Sequence, residues 1–211
     1  VIKLCSKYNI LIDDKSEKHK KFSTQKKTNL LGGFLLIIFF CYYLLDNSLN
    51  YPFVIFLAII FLVGILSDIK KINSASLRFL LQLILVIFFV YFLNIEIKYS
   101  KIDLFDKFLK NQIFSVLFST FCLLILINGS NFIDGLNGLC SGYYIVVIIN
   151  IFIVSLKFDL TYDYNNLWIL LQFLITFLIF NLLSKSFLGD SGSYLISTYI
   201  GLFLIFFFDE F

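Results

Sequence analysis

Several things are scarce in this chain, beginning with Met, which is absent from its 211 residues, and Arg and His, which each occur once. Without Met there is no initiator, so Val1 is not expected to be the native start. The chain reads as part of a longer protein, incomplete at both ends, with Val1–Ile12 as the tail of an earlier span. No short apolar core with a small-residue cleavage site precedes the first basic region, which excludes a cleavable signal peptide within these residues. The four cysteines, Cys5, Cys41, Cys122 and Cys140, lack the paired spacing that metal or redox motifs require, and they read as apolar packing residues. No repeat of solenoid period and no separate soluble domain is visible. Charge is also sparse, at 15% of residues, and almost none of it falls inside the apolar runs.

What fills the chain instead is hydrocarbon. Hydrophobic residues make up 60%, with a mean hydropathy of +0.92, against roughly 45–50% apolar residues in soluble domains. Apolar segments run over about residues 30–45, 51–66, 77–93, 113–127, 139–156, 167–183 and 194–208. The expected fold is all-α, a polytopic transmembrane helical bundle of about seven spans forming a single integral membrane domain over residues 1–211. At about 1.5 Å rise per residue a span needs some 20 residues, so several of these borrow flanking aromatic and polar residues at the interface. The 28 Phe and 12 Tyr accompany frequent Ile, Lys and Asn, and biased base composition accounts for them without an aromatic cofactor site.

Basic residues set an orientation. Twelve of the 17 fall in one set of alternate connections, leaving that side at +6 and the other at −3, which together give the chain's net +3. By the positive-inside rule the first side is cytoplasmic. It also carries Asp68, Asp134 and Asp190, each at the end of an apolar run. Carboxylates at the mouth of a membrane bundle are costly to leave unpaired, and three on one side point to a bound cation or a charged substrate.

Four segments on that side hold the candidate chemistry. Asn128 to Leu139 reads NGSNFIDGLNGL, a connection in which Asn131, Asp134 and Asn137 recur every three residues, so that in a helix they share a face. The plain alternative is a polar loop whose Asn and Asp cap helices. Phe187 to Ser193 reads FLGDSGS and sets Asp190 between glycines before a span; it either caps that helix or ligates magnesium, which prefers one or two carboxylates with substrate phosphates and water. Gly64 to Lys71 reads GILSDIKK, where Asp68 either pairs with Lys71 at helical spacing or joins the trio. Lys18-His19-Lys20, leading to Gly32-Gly33, is a basic cluster suited to an anionic headgroup or phosphate, although a lone His in such a loop is ordinarily just solvated. The connection over residues 94–111 shows no chemistry.

In this order and topology the four segments resemble the polyprenyl-phosphate N-acetylhexosamine-1-phosphate transferases of glycosyltransferase family 4, over nearly the whole chain. The family includes the phospho-N-acetylmuramoyl-pentapeptide transferase of peptidoglycan synthesis and the enzymes that begin surface polysaccharides. The resemblance implies transfer of a sugar 1-phosphate from a UDP-N-acetylhexosamine to undecaprenyl phosphate, releasing UMP, with Mg2+ required. It implies a multi-pass protein of the bacterial inner membrane whose active site faces the cytoplasm. Asp68, Asp134 and Lys71 are the implied catalytic residues, Asp190 the magnesium ligand, and Phe187 an aromatic that stacks on uracil. Asn128, Asn131, Asn137, Lys18 and His19 are implied in substrate binding. The bilayer is the expected setting, a homodimer is left open, and no nucleic-acid partner is expected. Two departures stand out: Ser67 where many members have the first of two aspartates, and Asn137 where many have Asp. The surface-polysaccharide branch is the favoured reading; the peptidoglycan enzyme, a polytopic transporter with ion-binding carboxylates and a catalytically impaired relative are the alternatives.

Overall fold

The structure, a computed structural model, describes residues 12–14, 27–30, 32–33, 35–37, 51–160 and 164–209. From Tyr51 onward seven helices follow: α1 Tyr51–Asp68, α2 Ala75–Phe92, α3 Asp103–Leu109, α4 Gln112–Asp134, α5 Leu139–Lys157, α6 Asn165–Leu182 and α7 Gly189–Asp209. All but α3 are long and apolar enough to cross a membrane. In hydrocarbon a helix satisfies its own backbone, so a continuous apolar run has few other folded forms available to it. The chain is a multi-pass helical membrane protein, as its hydropathy anticipates. The expected first span, residues 30–45, lies mostly outside the described residues, although Gly32–Gly33 and Leu35–Ile37 are helical.

A small sheet accompanies the helices. Strands β1 Ile12–Asp14, β2 Lys27–Leu30 and β3 Ser186–Phe187 are ordered β1-β2-β3, antiparallel then parallel. Residues 27–29, in the stretch between the basic cluster and Gly32-Gly33, are strand through their pairing with Ile12–Asp14, and Asn29 also pairs with Ser186.

The fold divides into two compact units, Val1–Ser48 with Asn131–Gly189, and Leu49–Ser130 with Asp190–Phe211. In the first, α5 and α6 pack side by side, with Phe152 stacked on Trp168 at 4.6 Å between ring centroids. Gly138 caps the start of α5; its φ of +77° calls for glycine, and its missing side chain leaves room for Leu182 Cδ2, 2.6 Å from an added Cβ. In the second, α1 packs on α2 through stacked Phe56 and Phe89 at 4.5 Å. Helix α7 is the most buried of the spans, with Ser191, Ser193, Ser197 and Thr198 all at 0% exposure. Gly64 of α1 lets α7 come close, since an added Cβ would sit against the Ser191 Cα and 2.7 Å from its N.

Candidate functional site

The expected connection at residues 128–138 is helix for most of its length, because α4 continues to Asp134. Asn128, read as a substrate ligand, is half-buried there, and its Nδ2 donates to Leu124 O and Gln82 Oε1, both at 2.9 Å. Polar side chains that bond back to their own helix let the span absorb an Asn and Gly run that composition alone assigns to a loop.

In the unit containing residues 131–189, Asp134 is buried at 6% exposure and accepts from two backbone groups, Leu188 N to Oδ1 at 3.2 Å and Gly189 N to Oδ2 at 2.8 Å. Asn131 is half-buried one turn earlier on α4. Asn137 is exposed and donates to Ser184 Oγ. Fully buried Asn181 ties this region together: its Oδ1 accepts from Gly138 N at 2.6 Å and its Nδ2 donates to Ser186 O at 2.8 Å. Phe187 is 2% exposed and paired with Leu30, so its ring has no open face at the surface.

In the other unit, the carboxylate of Asp68 receives Asp190 N at 2.8 Å on Oδ1, and Ser191 N at 3.0 Å and Ser191 Oγ at 2.6 Å on Oδ2. These donors open α7, where the first N–H groups lack intrahelical partners and the helix dipole favours an anion. Asp68 is therefore a cap supplied by a different helix. Its partners are these groups and not Lys71, which is exposed just beyond α1.

Asp190 faces a cation. Arg78 Nη1 donates to Asp190 Oδ2 at 2.5 Å and to Ser67 Oγ at 2.9 Å, and Ser67 Oγ donates to that same carboxylate oxygen. The Tyr194 hydroxyl lies 3.5 Å from it. Ser67, at the position where a paired aspartate was expected, is thus a hydrogen-bonding link in the Arg78–Asp190 pair. Arg78 had been counted only among the basic residues that set orientation. Its being the one Arg among 17 basic residues was the available signal, since Arg is the cation best suited to planar, multidentate anion pairing.

A divalent cation fits this carboxylate. Asp190 is 20% exposed at its side chain, and its Oδ1 accepts no hydrogen bond among the described residues. Among those residues no group of three or more His, Cys, Asp or Glu is arranged to hold a metal alone. Such a centre suits an ion that takes one or two carboxylates and completes its shell with substrate phosphates and water. Lys18 and His19 lie outside the described residues.

No solved structure matches the chain. A phospho-N-acetylmuramoyl-pentapeptide-transferase of Petrotoga mobilis is 29% identical over 191 residues, covering 82% of this chain and 59% of the relative. The chain thus spans about three-fifths of that relative's length. The model of Glycosyl transferase family 4 matches residues 50–208, which include Ser67, Asp68, Arg78, Asp134 and Asp190, and the chain belongs to that family.

Proposed function

We propose that the protein transfers an N-acetylhexosamine 1-phosphate from a UDP-sugar to undecaprenyl phosphate and releases UMP, at the cytoplasmic face of a bacterial inner membrane. The observation that carries this reading is the Asp190 carboxylate, held by Arg78 and Ser67 at the start of a buried span in a chain of this family.

The chemistry brings two anions together. An oxygen of the acceptor phosphate attacks the sugar-bearing β-phosphorus of the UDP-sugar. A new P–O bond forms, and the bond to the bridging oxygen breaks with its electron pair leaving on UMP. Electrostatic repulsion is the main obstacle, so catalysis is chiefly positioning and charge compensation. Arg78 and Lys71 supply positive charge from this chain. Magnesium, when bound at Asp190, neutralises the phosphate oxygens and the leaving UMP. Asp68 acts here as a positioning residue, because its oxygens hold the backbone N–H groups of Asp190 and Ser191, and Asp134 holds those of Leu188 and Gly189. Phe187 reaches uracil only if β3 exposes its ring during binding.

The surface-polysaccharide branch remains the first reading of the pathway. The peptidoglycan reaction stands second, favoured by the likeness to the Petrotoga mobilis protein named for it. Membranes containing the full-length protein, supplied with undecaprenyl phosphate and a panel of UDP-sugars, should release UMP with a UDP-N-acetylhexosamine. Release only with UDP-N-acetylmuramoyl-pentapeptide would move the protein to the second reading. No release with any of them would reject transfer.

A further inference from the structure

The polar contacts around Asp190 continue one turn deeper into the bundle than the proposed chemistry uses. Arg78 and Gln82 lie four apart on α2, and Asp190 and Tyr194 lie four apart on α7. Each pair therefore shares a helix face, with its second member about 6 Å further into the span. Gln82 is 0% exposed and Tyr194 1%. A carboxamide and a hydroxyl enclosed in a span are costly unless they meet polar partners.

Their partners lead to Asp190. Gln82 Oε1 accepts from Asn128 Nδ2 at 2.9 Å, and the same Nδ2 is tied to Leu124 O of its own helix at 2.9 Å. The Gln82 amide nitrogen faces the Tyr194 hydroxyl in a contact looser than a full hydrogen bond. That hydroxyl lies 3.5 Å from Asp190 Oδ2, the oxygen that also takes Arg78 and Ser67. Among the described residues every polar contact of this carboxylate is on Oδ2, and Oδ1 is left for a cation.

Helices α2 and α7 are linked in this way by two polar rungs, Arg78 with Asp190 and, one turn deeper, Gln82 with Tyr194. We propose that Asn128, Gln82 and Tyr194 are a positioning relay for Asp190. Asn128 fixes the Gln82 carboxamide, Gln82 holds the Tyr194 hydroxyl, and the hydroxyl keeps Oδ2 turned into the bundle so that Oδ1 faces the metal. The proposal rests on Asp190 as the magnesium ligand, and it gives Asn128 a place behind the site in place of one against substrate. Hydrogen-bonding groups behind a ligating carboxylate commonly change metal affinity by about 10- to 100-fold.

The test titrates the purified full-length protein with Mn2+ in place of Mg2+, follows free Mn2+ by electron paramagnetic resonance, and records unfolding midpoints alongside. Asp190→Asn is the reference and should lose the site. Tyr194→Phe keeps the ring and removes only the hydroxyl; it should weaken Mn2+ binding about tenfold or more. Gln82→Leu should weaken it by a similar factor, and the double variant by no more than Tyr194→Phe alone, because Gln82 acts through the hydroxyl. A purely structural role would lower the unfolding midpoint and leave Mn2+ affinity unchanged. Wild-type Mn2+ affinity in Tyr194→Phe or in Gln82→Leu, or losses that multiply in the double variant, would overturn the relay while the metal assignment stands. Retention of the site by Asp190→Asn would overturn both.

Discussion

Replacing Asp68 by Asn separates two roles for this carboxylate, a base for the acceptor and a cap for α7. Asp68 is 8% exposed and takes three donors on its two oxygens. An amide offers one oxygen and one NH2 group. In its better orientation it keeps both Ser191 donors and turns its NH2 towards Asp190 N–H, leaving that buried donor unpaired at a cost of about 1–3 kcal/mol. The two surviving bonds lose their charge assistance, which roughly halves them and adds about 1 kcal/mol. A loss of about 2–4 kcal/mol is a large share of the roughly 5–15 kcal/mol that holds a typical domain folded. The expected outcome is a lower midpoint in equilibrium unfolding of the purified protein and faster amide exchange at residues 189–192. UMP release should fall about 100-fold as Asp190 loses its register with Arg78, the scale of a misplaced group in an active site. An Asp68→Asn protein with the wild-type unfolding midpoint and wild-type exchange, yet inactive, would refute the cap and return Asp68 to the role of base.

Three further outcomes follow from the same geometry. Gly64→Ala should destabilise the protein by about 1–3 kcal/mol, because its Cβ meets the Ser191 backbone and no flexible side chain is there to yield; unchanged thermal unfolding would show that α1 and α7 are not so close. Cysteines at Ser74 and Lys185, both exposed, should react with an impermeant maleimide from the cytoplasmic side and one at Lys101 from the other side, and labelling of Ser74 and Lys185 from opposite faces would reject the orientation. Ser100 holds the Asp106 carboxyl below its usual range, so its ionised form favours the folded turn, and that contribution is lost as pH falls through the lowered folded-state value. Protection of the Ser100 amide, taken relative to its intrinsic exchange rate at each pH, should fall only at such acid pH, and a loss of protection near neutrality would contradict the assignment.

The spans were legible because hydrocarbon permits so few structures that length and hydropathy nearly suffice. Segments 51–66 and 139–156 were drawn within about two residues of α1 and α5. Polar segments were less legible, since their bonds join residues far apart in the chain. Asp68 has an obvious local partner in Lys71, but its actual donors lie 122 and 123 positions away. Arg78 and Asp190 are 112 positions apart, and Asn181 bridges Gly138 and Ser186, pairings with no local periodicity to reveal them. The run from Asn128 to Asp134 looked like a loop by composition; back-bonding from Asn128 and Ser130 to carbonyls four residues earlier keeps it helical.

The central claim is that the charge of Asp190, shared with Arg78 and available to a divalent cation, drives transfer. Its most direct measurement is the initial rate of UMP release against magnesium concentration for wild type and Asp190→Asn in the full-length protein, with unfolding midpoints recorded alongside. The amide keeps the shape of the side chain and can still accept one hydrogen bond. The account predicts a folded variant with no measurable transfer at any magnesium concentration. Near-normal turnover at limiting magnesium would contradict it.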